Sequence, residues 1–160
     1  RMTLRFQDHR LADSDRAVQL INKTNQFNLN GRRFTEAEIA SLMGSGARLY
    51  GASLDDRTGE HGEVLACLVL PAGRVVAFVL SCRVFQRRVE HAFLGWLATI
   101  FDRPTFEYVE TPRNAAIRGL IADPAFRSLD DGRLVLDGGA FKQAHVEDIE
   151  LFTLVEPGRD

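Results

Sequence analysis

An excess of charge of either sign is missing from this chain: 20 Lys and Arg stand against 22 Asp and Glu, for a net charge of −2. No overall basic field is present to draw in nucleic acid. No apolar run approaches the roughly 20 residues that a membrane-crossing helix needs. The start, Arg1-Met2-Thr3-Leu4-Arg5-Phe6, lacks the apolar core of a secretory leader. Cysteine is scarce, with Cys67 and Cys82 alone, too few for a disulfide scaffold or a thiolate metal cage. Both lie in apolar, strand-like stretches where buried free thiols are common, so we read a cytoplasmic protein with reduced thiols. No His/Cys/Asp/Glu cluster has metal-ligand spacing, and no local Ser-His-Asp signature is present, so neither a metal nor that triad is expected. Repeats, low-complexity tracts and linkers are missing too. The 160 residues therefore read as one domain. Arg1 ahead of Met2 suggests a tag scar or a piece of a longer protein.

What is present alternates between strand and helix patterns. Thr3 to Phe6 reads as a first strand. Asp13 or Ser14 can cap a helix through Val18, Leu20 and Ile21, ended by the polar run from Asn22 to Gln26. Asn28-Leu29-Asn30-Gly31 reads as a turn. Thr35-Glu36-Ala37-Glu38 is a capping box, opening a helix that carries Ile39 and Leu42 and stops at Gly44 or Gly46. A strand is expected over Arg48 to Leu54 and a charged hairpin loop over Asp55 to Gly62. Val64 to Leu70 and Val75 to Leu80 are near-continuous apolar runs, as in strands buried on both faces, joined by Pro71-Ala72-Gly73. Val89, Ala92, Phe93, Trp96, Leu97 and Ile100 predict a helix with one apolar stripe, closed by Pro104. Thr105 to Glu110, Leu134 to Leu136 and Ile149 to Val155 read as strands, with a short helix through Ala115 to Ile121 and a turn at Gly138-Gly139. The end, Gly158-Arg159-Asp160, is expected to fray. This order suits an α/β mixed sheet with helices on both faces.

The strand-loop-helix junction Val79-Leu80-Ser81-Cys82-Arg83-Val84-Phe85-Gln86-Arg87-Arg88-Val89-Glu90 is the place where α/β proteins often hold a phosphate, on free N–H groups aided by the helix dipole. Cys82, as a thiolate, can accept an acyl group, and Arg83 or the helix N-terminus would lower its pKa; the alternative is a small apolar core residue. Glu90 is either a general base or a carboxylate that complements the helix dipole. His91 is a base near neutral pH or a solvated helix residue. Thr24, Asn25, Gln26 and Asn28 either hold a loop or line an acceptor site. Arg32 and Arg33 either bind an acidic partner or sit in a solvated turn.

Two motifs carry a resemblance. Ile21-Asn22-Lys23-Thr24-Asn25-Gln26-Phe27-Asn28 with Arg32-Arg33-Phe34-Thr35, and Ser81-Cys82-Arg83-Val84 with Val89-Glu90, resemble signatures of FkbH-like proteins. The match spans roughly residues 3 to 126 and fades beyond. The resemblance implies a GNAT-like acyltransferase fold, a central mixed and mostly antiparallel sheet flanked by helices. In that family such a domain follows a haloacid-dehalogenase-type domain and is associated with loading a glyceryl unit, from a phosphoglycerate, onto an acyl carrier protein in polyketide-type biosynthesis. Here no Asp-x-Asp motif ends an N-terminal strand, so only the C-terminal part is represented. The implied cofactor is the phosphopantetheine of a carrier protein or coenzyme A. Arg83, Arg87, Arg88 and Asn114 are its implied contacts; Thr24, Asn25, Gln26 and Asn28 would meet the substrate. The chain departs from the pattern at Gln86 and Arg88, where the family has glycines, and at Leu120 and Ile121, where many GNAT enzymes place a Tyr acid. These departures leave two further readings open: a degenerate domain that docks a carrier protein without catalysis, and an acetyl-coenzyme A-dependent N-acetyltransferase.

Overall fold

In a computed structural model, residues 1–10 and 13–158 are described. The last two residues of the stretch expected to fray, Arg159 and Asp160, lie outside the described residues. Among the described residues eight strands form one sheet: β1 (Met2–Asp8), β2 (Arg48–Asp56), β3 (Gly59–Leu70), β4 (Arg74–Leu80), β5 (Thr105–Phe106), β6 (Phe126–Ser128), β7 (Leu134–Leu136) and β8 (Phe152–Val155). Their order across the sheet is β6-β7-β5-β4-β3-β2-β1-β8. The β1–β8 and β4–β5 pairs are parallel and the other neighbours antiparallel, giving the mixed α/β sheet that the element order led us to expect, with antiparallel pairs in the majority.

The two apolar runs are central strands, and their alternation builds a core on each face. Leu65, Cys67 and Val69 of β3 face one core, with α3 (Val89–Ile100); Ala66 and Leu68 face the other, with α1 (Asp15–Lys23) and α2 (Glu36–Gly44). In β4 the neighbours Val76 and Ala77 both join the second core, because the register slips between Leu68 and Val69. The capping box forms as its spacing requires: Thr35 Oγ1 accepts from the Glu38 N–H, and Glu38 Oε1 accepts from the Thr35 N–H. At the start of α1 the Asp13 carboxylate, rather than the Ser14 hydroxyl, accepts a backbone N–H, that of Asp15.

Four expectations need correction. The Asp55–Gly62 loop is mostly strand, since β2 runs to Asp56 and β3 starts at Gly59. Gly138-Gly139 opens a helix, α5 (Gly138–Ala144), because the Asp137 side chain caps it on the Ala140 N–H. Val146–Ile149 is a further short helix, α6, so the last strand is only Phe152–Val155. Helix α4 (Arg118–Ile121) matches the short helix expected there. The single stripe on α3 is the fourth correction. Every residue from Val89 to Leu97 is buried, because α5 and α6 cover the face that the stripe leaves outward. Small residues permit that crossing: a methyl group on Gly138 would overlap Ala98 Cβ, and one on Gly95 would lie 3.0 Å from Ile149 Cδ1. None of the helices among the described residues is long and apolar enough to cross a membrane.

Candidate functional site

β4 and β5 pair at Arg74–Thr105 and Val75–Phe106 only. Beyond Phe106 the expected strand over Thr105 to Glu110 ends, because a segment of the first motif enters between the diverging chains. The Leu29 N–H donates to Phe78 O at 3.0 Å, and the Leu80 N–H to Phe27 O at 3.1 Å. On the other side the Val109 N–H donates to Leu29 O at 3.1 Å. Asn30 Nδ2 spans the gap, donating to Val76 O and Glu107 O, each at 2.9 Å. Asn28 Oδ1 accepts the N–H groups of Asn30 and Gly31, and Gly31 turns the chain with φ +74°. The opening between the diverging β4 and β5 is filled by the chain's own Phe27–Asn30.

Asn114 belongs to this seam. It is fully buried; Nδ2 donates to Asn28 O and Val109 O, each at 2.9 Å, and Oδ1 accepts from the Thr111 N–H at 2.8 Å. Both amide protons and the carbonyl oxygen thus serve the fold. Asn28 is buried too, and its amide donates to Thr24 O. Of the polar cluster in the first motif, Asn28 holds the loop while Thr24, Asn25 and Gln26 face a cleft.

That cleft, of about 370 Å³, is lined by Arg16, Gln19, Leu20, Lys23, Thr24, Asn25, Gln26, Leu80, Ser81, Cys82 and Phe85. It joins the two motifs. Cys82 is exposed, which corrects its reading as a core residue: β4 ends at Leu80, and a short 3₁₀ turn over Cys82–Val84 lifts the thiol out of the sheet. Ser81 Oγ accepts from the Arg83 N–H at 3.4 Å at the head of this turn. Cys67 keeps the buried position, and burial pushes its thiol pKa far up, so it stays protonated and inert.

Gln86 and Arg88 have φ of +68° and +67°, in the left-handed region that glycine enters without cost. At these two positions the backbone takes the φ that glycine favours although side chains occupy it. Three arginines leave this stretch in different directions. Arg83 reaches the His61 carbonyl at 3.3 Å, and Arg87 pairs with Asp56 on the β2–β3 hairpin. Arg88 Nε lies 3.5 Å from Asp148 Oδ1. They are not gathered around one anion site. The hydroxyl of Thr58, then Arg87 and His61, holds the Asp56 carboxyl well below the usual carboxylate range. Of the other pair of arginines, Arg33 donates to Ile21 O and Asn25 Oδ1, and Arg32 stacks 4.8 Å over Phe34.

A second cleft of about 270 Å³ opens at the N-terminus of α3, lined by Phe27, Gln86, Arg88, Glu90, His91, Ala116, Gly119 and Leu120. It adjoins the first across Phe27 and Phe85, whose rings are 6.2 Å apart. Glu90 and His91 are both buried, with Glu90 Oε1 2.9 Å from His91 Nδ1. His91 is therefore not a solvated helix residue; it stacks on Phe141 and lies 4.6 Å from the ring of His145. His145 was not legible as a partner, since it comes from the far end of the chain. Its only sequence trace is the His145-x-x-Asp148 spacing. Comparison with protein-family models, with curated proteins and with solved structures finds no match.

Proposed function

We propose that this chain is a GNAT-like, acyltransferase-type domain of an FkbH-like protein, working with an acyl carrier protein in polyketide-type biosynthesis. One observation carries the reading: the two motifs of the resemblance meet at one cleft, with the exposed Cys82 thiol beside Thr24, Asn25 and Gln26. The left-handed backbone at Gln86 and Arg88 supports it as well, since the family's glycines stand there. The Cys82 thiolate would attack the thioester carbonyl of an acyl- or glyceryl-phosphopantetheine. A carbon–sulfur bond forms to Cys82, and the pantetheine thiolate leaves and takes up a proton. A second carrier thiol, losing its proton, reverses the step and frees Cys82. Thr24, Asn25 and Gln26 would meet the acyl group. Glu90 faces the other cleft and is tied to His91, so the transfer runs through Cys82. The site would be reached in the cytoplasm, from an upstream haloacid-dehalogenase-type domain.

A second reading, a docking module without turnover, is favoured by one observation: Asn114 and the Phe27–Asn30 segment take up the groups and the space a pantetheine arm would use. Calorimetry against acetyl-coenzyme A and against a carrier protein bearing an acyl-phosphopantetheine thioester separates them, with intact-mass detection of an acyl adduct on wild type and on Cys82→Ser. Carrier binding with an adduct lost in Cys82→Ser supports transfer. Carrier binding without adduct or turnover supports docking. Tight coenzyme A binding and acetylation of an amine would favour the N-acetyltransferase instead, and binding of neither ligand overturns all three.

A further inference from the structure

Beside the second cleft, two segments that are far apart in sequence bring ligand-type side chains together. His91 stands on the first turn of α3, His145 at the joint between α5 and α6, and Asp148 one turn further along. One ring nitrogen of each histidine and a carboxylate oxygen of Asp148 all lie within 4.8 Å of one another. His145 Nδ1 is already 3.3 Å from Asp148 Oδ2. Two ligands bound to one tetrahedral zinc at about 2.1 Å each are about 3.4 Å apart, so this pair has the required separation and His91 needs a shift on the order of 1 Å.

The surroundings fit a metal better than they fit a plain ion-pair cluster. Each histidine has one ring nitrogen on a carboxylate: His91 Nδ1 on Glu90 at 2.9 Å, and His145 Nε2 on Asp123 at 2.5 Å. A carboxylate behind the ring is the arrangement that fixes the tautomer and raises the basicity of a metal-bound imidazole. It leaves His91 Nε2 and His145 Nδ1 as the ligand atoms. Asp123 is itself held in place, since its Oδ1 accepts the Ala125 N–H at 2.9 Å. Against a cation stands Arg88, whose guanidinium lies 3.5 Å from Oδ1, the other oxygen of Asp148.

We propose that His91, His145 and Asp148 form a binding site for a divalent first-row transition cation of the zinc class. Two imidazoles and one carboxylate suit such ions and disfavour magnesium and calcium, which take oxygen ligands. Bound there, the cation ties α5 and α6 to the first turn of α3 and places a positive charge next to the cleft that Glu90 and His91 line.

The test uses untagged, chelator-treated protein, titrated with Zn²⁺ and Co²⁺ by calorimetry and by visible absorption of the cobalt form. One equivalent should bind, with a rise in melting temperature that magnesium does not produce. Asp148→Ala and His91→Gln should abolish the cobalt spectrum. Asp123→Asn, which keeps all three ligands, should lower affinity by about 10- to 100-fold. Arg88→Ala should raise affinity while leaving the stoichiometry at one. Should a ligand variant fail to fold, the Asp123 and Arg88 variants still decide the matter. No binding at one equivalent by wild type, or affinity and spectrum unchanged in Asp148→Ala and Asp123→Asn, would overturn the site.

Discussion

Gln86→Gly should make this protein more stable, although it removes a side chain and loosens the unfolded chain. Gln86 has φ +68°, and its side chain is exposed, so removing it sacrifices little packing. A non-glycine residue held left-handed costs about 1–2 kcal/mol relative to its ordinary conformation. Glycine escapes that cost but gives the unfolded state extra freedom, worth about 0.5–1 kcal/mol against folding. The balance is a gain of about 0.5–1 kcal/mol, which in a domain of this size raises the melting temperature by roughly 2 °C. Gln86→Ala is the control. It keeps a Cβ at the same φ and should be close to neutral. Urea unfolding of the three proteins, read as a midpoint shift at constant slope, isolates the conformational contribution. A Gly variant less stable than the Ala variant by 1 kcal/mol or more would refute the left-handed reading of this loop. Arg88→Gly should show the same gain reduced by the loss of its half-exposed pair with Asp148, worth about 0–1 kcal/mol. If the loop is an anion loop blocked by its own side chains, the double glycine variant should also bind coenzyme A more tightly than wild type does.

Other consequences are simple to measure. Asn114→Ala strands the buried carbonyl of Asn28 and the part-buried Val109 carbonyl and Thr111 N–H; at about 1 kcal/mol for each lost partner it should cost about 2–3 kcal/mol in urea unfolding, and a cost below 1 kcal/mol would free Asn114 for ligand binding. A thiol reagent should modify Cys82 in the native protein and reach Cys67 only with the rate of unfolding; equal labelling of both would contradict their placement. Asp56, with its folded pKa below the unfolded value of about 3.9, stabilises above that pH and loses the effect as pH falls toward its folded pKa. Asp56→Asn should therefore destabilise at pH 7, with the difference from wild type shrinking below about pH 4; a difference independent of pH would remove the carboxylate from the account.

The central strands, the first three helices and the turn at Gly31 were readable from sequence because each rests on local chemistry: an apolar run, a capping box, a side chain that satisfies its neighbours' N–H groups. What escaped was set by partners distant in sequence. Thr105 to Glu110 has the alternation of a strand, but the strand stops at Phe106 because Leu29 and Asn30 take over its hydrogen bonds. The stripe on α3 is real, yet Glu90, His91 and Gly95 are buried as well, under helices formed some 50 residues later in the chain. For Cys82, an apolar strand run hid the fact that the strand ends two residues earlier. The residue types at 86 and 88 pointed away from a glycine loop, whereas the backbone at both positions has the left-handed φ that glycine favours.

Those same long-range contacts bear on how the two clefts can work together. The Phe27–Asn30 segment is hydrogen-bonded on both sides and anchored by Asn28, Asn30 and Asn114, all buried. Withdrawing it to admit a pantetheine arm would break at least three backbone hydrogen bonds and leave three buried amides without partners, a cost of several kcal/mol at about 1–3 kcal/mol for each buried group left unpaired. Carrier binding energy would have to supply all of it. A pantetheine thioester that reaches Cys82 from the outer side of the first cleft needs no such displacement, because the thiol is already exposed there. Transfer through Cys82 therefore requires a route along Arg16, Lys23 and Gln26, on α1 and the loop after it, rather than between β4 and β5. Charge reversal at Arg16 and Lys23 should weaken carrier binding, while Phe27→Ala should lower stability with little effect on labelling of Cys82. The opposite pattern would return the arm to the space between β4 and β5.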